Sequence, residues 1–278
     1  MFNDRLLLIA TKHEKSKVLA PLLERALSVQ CLPLSNFDTD TLGTFSGEVE
    51  RKDDPLTTLR KKCMSSAEAH GVDLVIATEG SFGPHPIYAS VPANDELIML
   101  LDLKNNLELV ARELSTKTNY GGAAFSKFED LLLFAYDKGF PQHGLILKDR
   151  AVEFSLCTKG IRNEMDLQQS FKQLKKYNQS VWAETDMRAH MNPTRMEVIE
   201  LAAHKLIKHL KCECPHCKRP GFIVKRYTTG LLCALCGSPT PSIKSEVKIC
   251  DSCSYEEVNL LDANKTTADP MYCLVCNP

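Results

Sequence analysis

Four Cys-x-x-Cys pairs crowd the last quarter of this chain, and they constrain its folding more than any other feature. The pairs are Cys214/Cys217, Cys233/Cys236, Cys250/Cys253 and Cys273/Cys276, and nine of the twelve cysteines fall between residues 212 and 276. In each pair, two thiolates and the intervening amides can wrap one face of a metal ion. Two such knuckles complete the closed tetrahedral site that holds structural Zn²⁺. The spacing therefore predicts two structural zinc sites in a tandem-ribbon tail over residues 211–278, with these eight cysteines as ligands. Fifteen residues separate the first pair from the second and nineteen separate the third from the fourth. Sequential pairing closes the shorter loops and is expected over interleaving. Cys212 is the spare, although Cys-x-Cys-x-x-Cys makes it a rival to Cys214. The spacing also admits an iron–sulfur cluster, but symmetrical pairs around hairpins favour zinc. Four thiolates leave no open position for water, so chemistry is expected upstream. Cys31, Cys63 and Cys157 stand singly in apolar or helical contexts and read as small buried hydrophobes.

At 278 residues the chain has room for an α/β domain over residues 1–210 ahead of the tail. A formal net charge of -1 gives no overall reason to expect nucleic acid or an anionic membrane. No apolar run is long enough to span a bilayer, and the apolar stretch at the N-terminus is too short for a signal peptide. A cytoplasmic protein without a membrane partner is expected.

RLLLIA reads as a strand, VLAPLLERALSV as a helix and CLPL as a second strand. Residues 36–54 read as a loop or edge hairpin. PLTTLRKKCMSSAEAHG reads as a helix with Pro55 at its start and Gly71 as its stop. VDLVIAT is a buried strand that should end on a turn at Glu79-Gly80-Ser81-Phe82-Gly83-Pro84-His85-Pro86. Two strands, 96–102 and 107–115, flank the turn signal Lys104-Asn105-Asn106. A helix near 125–136, a strand at 144–148 and helices at 164–178 and 194–210 follow. The alternation predicts an α/β fold built on a mixed sheet with flanking helices.

Three features are candidates for chemistry. The loop Thr11 to Lys17 opens a helix, so its amides, hydroxyls and lysines can cradle phosphate. It also reads as a plain polar cap. Glu79, at the expected carboxyl end of a strand, is placed to hold a divalent cation or orient water. The block Glu184 to Arg195 brings Arg188, His190 and Arg195 to a helix entrance, where they can bind phosphate or form a cap salt-bridged to Asp186. In the tail, Lys205, Lys208, Lys211, Lys218, Arg219, Lys225 and Arg226 form a basic strip that either meets phosphate or is a solvated face.

RLLLIATKHEKSKVLAPLLERAL and PLTTLRKKCMSSAEAHGVDLVIATEGSFG resemble two blocks of the inosine triphosphate pyrophosphatase and Maf-like superfamily, over roughly residues 5–85. The resemblance implies hydrolysis of a nucleotide or other phosphate ester with a Mg²⁺ ion held by acids. It carries phosphate binding to Thr11, His13, Lys15, Lys17 and Lys62, and catalysis to Glu79, with Glu48, Glu50, Asp53 or Asp54 as a second acid. The whole chain, with EGSFGPHP, ETDMRAHMNPTRM and the double ribbon, resembles an uncharacterised bacterial family of unknown function, which supplies no activity. The leading expectation is a metal-dependent hydrolase acting on a nucleotide or phosphorylated small molecule. The alternative is a non-enzymatic binding protein whose ribbons recognise nucleic acid or a protein.

Overall fold

The computed structural model describes residues 1–11, 14–33, 53–262 and 265–278. Most of the loop read at 36–54, with Glu48 and Glu50, lies outside the described residues, as does His13. The chain divides into two compact units, Met1–Ile207 and Lys208–Pro278.

In the first unit, the opening apolar run forms β1 (Leu6–Ala10), followed by α1 (Ser16–Leu27) and β2 (Gln30–Pro33). Next come α2 (Pro55–His70), β3 (Leu74–Pro84), β4 (Pro92–Asp102) and β5 (Leu107–Ser115). These strands make a mixed sheet in the order β2-β1-β3-β4-β5, the first three parallel and the last three antiparallel. The local signals act where they stand. Asp54 Oδ1 accepts from the amides of Leu56 and Thr57, Pro55 opens α2, and Gly71 closes it in the left-handed region at φ +62°.

One sheet face presents Leu8, Ala10, Val75, Ala77, Met99 and Leu101 to Leu59, Cys63 and Ala67 of α2. Strand alternation turns Leu7, Ile9, Ile76 and Leu100 to the other face, where they are equally buried. The β1–β2 and β2–β3 crossovers run in opposite directions, so the right-handed rule places α1 and α2 on opposite faces.

The structure corrects the expected turn after Thr78. β3 continues to Pro84, paired with β4 without interruption from Leu74↔Asp102 to Pro84↔Pro92. Glu79 therefore lies inside a strand. Pro84 and Pro92 sit at the end of the ladder, a position where an imino nitrogen is tolerated.

A second sheet completes this unit. β6 (Gly122–Phe125), β7 (Leu145–Lys148), β8 (Cys157–Ile161) and β9 (Val181–Thr185) pair antiparallel in the order β6-β9-β7-β8. With them come α3 (Phe128–Asp137) and α4 (Glu164–Lys175), whose Leu131, Ala135, Leu167 and Phe171 share a core with Leu145, Ile161, Val181 and Ala183. α5 (Pro193–Lys211) then buries Val198, Ile199, Ala202, Ala203 and Leu206.

The second unit holds a three-stranded antiparallel sheet of β10 (Ile223–Thr229), β12 (Ile243–Ile249) and β13 (Glu256–Leu260). Its other paired strands are β11 (Leu232–Cys233) and β14 (Thr267–Ala268), which run parallel. No helix among the described residues is long and apolar enough to cross a membrane.

Leu59 is fully buried between α2 and the sheet. Leu59→Ala is expected to cost about 2–5 kcal/mol, seen as a lower denaturation midpoint at unchanged m value.

Candidate functional site

Charged side chains gather where β1 stops and the β3–β4 ladder continues. β1 pairs with β3 only as far as Ala10↔Ala77. Just beyond, Lys15 at the entrance to α1 is buried and donates to Thr78 Oγ1 at 2.6 Å. Lys62 of α2 pairs with Glu79, on a neighbouring position of β3. Arg195, in the first turn of α5, is fully buried; its Nε lies 2.6 Å from Glu96 Oε1 and its guanidinium 5.1 Å from the Phe82 ring centroid. Gly80 faces Glu96 across the ladder, and a Cβ there would collide with the Glu96 carboxylate and the Arg195 guanidinium. The glycine read as a turn residue is thus needed for a close approach within a strand.

The cluster sets three cations, Lys15, Lys62 and Arg195, against two carboxylates, Glu79 and Glu96. Burial, reinforced by Arg195 and Lys62 and opposed by Glu96 and Glu79, pulls the Lys15 ammonium down to about 7. Asn94, two residues before Glu96 and on the same strand face, is 1% exposed, and both its side-chain polar atoms lack a hydrogen-bond partner. A buried amide without any partner costs about 1–3 kcal/mol per group, and an ordered water commonly meets that demand.

The residues singled out in the sequence separate into groups. Lys15, Lys62, Glu79 and Arg195 belong to the cluster. Thr11 is buried, and its amide donates to Ile9 O at 3.0 Å. The Lys17 side chain is 72% exposed and pairs with Glu14 at 2.6 Å. Arg188 binds Asp186 through Nε and Nη2 at 3.0 and 2.6 Å, and the buried Asp186 also accepts from the Gly160 amide. Arg188 is thus held by Asp186, and Arg195 by Glu96. At the same entrance Asn192 Oδ1 caps α5 by accepting from the Arg195 amide at 2.9 Å. His190 is kept below its ordinary pKa by burial and by Arg188, with Asp186 and Glu14 opposing.

The expected Mg²⁺ site does not assemble from the described residues. Glu79 is held by Lys62, Asp53 by Lys61, and Asp54 caps α2. Glu79 and Glu96 also point to opposite faces of the ladder, since Glu96 pairs with Gly80 rather than with Glu79. Two of the three single cysteines are poor nucleophiles: burial pushes the thiols of Cys31 and Cys63 up to about 12. Thr78, Phe82, Asn94 and Glu96 went unread. The available signal was Asn94-Asp95-Glu96, a polar run just ahead of the apolar stretch read as a strand at 96–102.

In the second unit the eight paired cysteines form two tetrads, and the grouping corrects the sequential expectation. Cys214 and Cys217 meet Cys250 and Cys253; Cys233 and Cys236 meet Cys273 and Cys276. Sγ separations across the knuckles run from 3.5 to 3.9 Å. Four sulfurs placed about 2.3 Å from a tetrahedral Zn²⁺ would stand about 3.8 Å apart, so both tetrads fit such an ion. Strand pairing decides the grouping: Ile223↔Ile249 delivers the third knuckle to the first, and Cys233↔Ala268 draws the fourth towards the second. The interleaved loops are about twice as long as the sequential ones, and each doubling costs only about 0.6 kcal/mol. Cys212 is outside both tetrads; its Sγ lies 3.2 Å from Lys208 O. Three of the seven side chains of the basic strip meet acids: Lys225 lies on Asp251, Arg226 on Glu256 and Lys205 near Glu113.

A family model described as Domain of unknown function (DUF6671) matches residues 62–278. A search of curated proteins finds no match. Among solved structures the chain is similar to protein VC0702 from Vibrio cholerae, at 9% sequence identity and a TM-score of 0.34, over 74% of this chain and 94% of that one.

The interleaved tetrads predict a specific pattern of metal uptake. Cys217→Ser combined with Cys250→Ser removes ligands from one tetrad and should leave one metal ion per chain. Cys217→Ser combined with Cys233→Ser should lose both. Metal analysis of the purified variants separates the two outcomes, and sequential pairing demands the reverse.

Proposed function

The chain belongs to this family of unknown function, and from that premise we propose that the first unit binds and hydrolyses a nucleotide or other phosphate ester while the tail carries two structural zinc ions. The observation that carries the reading is Lys15, a buried lysine held against Thr78 beside Arg195 and Lys62, with its pKa pulled down to about 7. With Lys15 neutral, the charges of Lys62 and Arg195 are balanced by Glu79 and Glu96. With Lys15 protonated, the cluster carries one uncompensated positive charge, which an anionic oxygen would neutralise.

The roles proposed for the chain's own residues follow from their chemistry. Lys15 and Lys62 receive phosphoryl oxygens as point charges. Arg195, tied to Glu96, is a fixed, charge-balanced pair whose guanidinium needs little reorganisation to face an anion. Glu79, once its lysine is engaged by substrate, is a carboxylate able to orient water. The resemblance of residues 5–85 to the inosine triphosphate pyrophosphatase and Maf-like superfamily makes nucleoside triphosphates the substrates to try first. For the tail, the donor set of four thiolates suits zinc, whose contribution is to tie knuckles together rather than to react.

Turnover is tested by release of pyrophosphate or phosphate from a panel of nucleoside triphosphates and simple phosphate esters, with and without added Mg²⁺. Glu79→Gln and Lys15→Met should each abolish it; activity that survives both, or no turnover of any substrate, sinks the reading. Anion binding supplies an independent check with sulfate, whose charge stays fixed over the range used. Affinity should be greatest below pH 7 and fall as Lys15 deprotonates above about 7. Lys15→Met should remove that dependence.

The same group sets a stability trend. Its folded pKa lies below the ordinary 10.5, so between about 7 and 10.5 the unfolded chain binds a proton that the folded chain does not. Its contribution to stability therefore rises with pH across that window. Lys15→Met should flatten the rise in denaturation curves taken from pH 7 to 10.

A further inference from the structure

We propose that the second tetrad, Cys233, Cys236, Cys273 and Cys276, is a peroxide-reactive metal site, which converts to two disulfides and releases its zinc while the first tetrad keeps its own. The inference rests on the zinc reading given above.

The two tetrads have the same ligands and differ in their surroundings. In the first, Cys214 and Cys250 are buried around Phe222, and Cys217 and Cys253 pack partly buried against the same group. Tyr255 leans on the ring of Phe222 and stacks with His216 of the first knuckle. In the second tetrad Cys233 and Cys273 are buried, but Cys236 and Cys276 are exposed. The knuckle residues that could shield them, Leu235, Leu274 and Val275, are themselves 74%, 69% and 68% exposed. Oxidants act on sulfurs they can reach, so exposure favours the second site.

The arrangement within that tetrad supplies the next step. Each exposed sulfur has a buried one beside it from the opposite knuckle: Cys236 lies 3.6 Å from Cys273, and Cys276 lies 3.9 Å from Cys233. An exposed thiolate attacks hydrogen peroxide, the O–O bond breaks, and a sulfenic acid and hydroxide result. The neighbouring buried thiolate then attacks the sulfenic sulfur, forming the S–S bond and expelling a second hydroxide. Two peroxides thus take four electrons from four thiolates, giving two disulfides, four hydroxides and one free Zn²⁺. Both disulfides join the second knuckle to the fourth, so the tie formerly made by the metal is kept.

The test uses the full chain, with its zinc counted before any oxidant is added. Peroxide is then added in steps, released zinc is followed with a chromogenic chelator, and disulfides are mapped by peptide mass after alkylation. One of two zinc ions should leave in a separate faster phase, with Cys236–Cys273 and Cys233–Cys276 as the linkages. Simultaneous release of both ions, earlier release from the first tetrad, or no disulfide in the second overturns the inference. The chain carrying Cys217→Ser and Cys250→Ser should keep the fast phase, and the chain carrying Cys236→Ser and Cys273→Ser should lack it. A starting count below two zinc ions per chain rejects the zinc reading and this inference with it. Two ions with no fast phase reject this inference alone.

Discussion

The antiparallel ladder between β3 and β4 is the member on which the first unit depends. It runs unbroken from Leu74↔Asp102 to Pro84↔Pro92, while the parallel partner β1 accompanies it only between Val75 and Ala77. Its early part is apolar on both faces and carries the core. Its later part has lost β1 on one side, and the vacated sheet edge is where Lys15, Lys62 and Arg195 come in. The same two strands thus serve as core and as site, and the change from one to the other follows from how far β1 extends.

Burying so many charges is costly, and the geometry shows how the cost is limited. An ion pair taken out of water is tolerated when its remaining donors and acceptors find partners. Arg195 meets this condition, with Glu96 on one side, the Met187 carbonyl on another and the Phe82 ring beneath. Lys62 and Glu79 satisfy each other at the end of α2's face. Lys15 does not meet it: it donates to a neutral hydroxyl, and its neighbours include two cations. A lysine so placed gives up its proton readily unless an anion joins it. On β4, the side-chain amide of Asn94 is buried without a hydrogen-bond partner in the protein. Buried ionisable groups with shifted pKa values are enriched at functional sites, and Lys15 is one of them.

Sequence reasoning worked where a local rule carried the information. Pro55 and Gly71 bound α2, Asn105 and Asn106 mark the β4–β5 turn, and the Cys-x-x-Cys spacing names the eight tetrad cysteines without help from tertiary structure. It failed where residues distant in sequence decide the outcome. Gly80 and Gly83 look like a turn until the partner strand is known, because a glycine needed for close packing and one needed for positive φ are the same letter. Arg188 and Arg195 look like a pair, but Asp186 holds one and Glu96, ninety-nine residues from its partner, holds the other. Of the second sheet only β7 was legible; β6, β8 and β9 span four or five residues each, too few for period-two alternation to stand out.

The interleaving of the tetrads shows the same limit and leads one step further. Loop entropy varies only logarithmically with length, so a preference for short loops is weak and a few strand pairs outweigh it. The two tetrads are not equally provided for in this respect. The knuckles of the first are joined by the β10–β12 ladder, which runs from Ile223↔Ile249 to Thr229↔Ile243 and whose far edge is covered by β13. Those of the second are joined by two residue pairs, Leu232↔Thr267 and Cys233↔Ala268. Two-residue pairing is too little to hold strands together in water, so the metal itself must supply most of the tie between the second and fourth knuckles. The first tetrad can then form on a framework the polypeptide already makes, and the loop it closes, from Cys217 to Cys250, contains both Cys233 and Cys236. Closing that loop brings the second knuckle into place before its own metal is bound. Metal binding in this tail is therefore ordered by the sheet: the tetrad with the longer ladder assembles first and lowers the entropy cost of assembling the other.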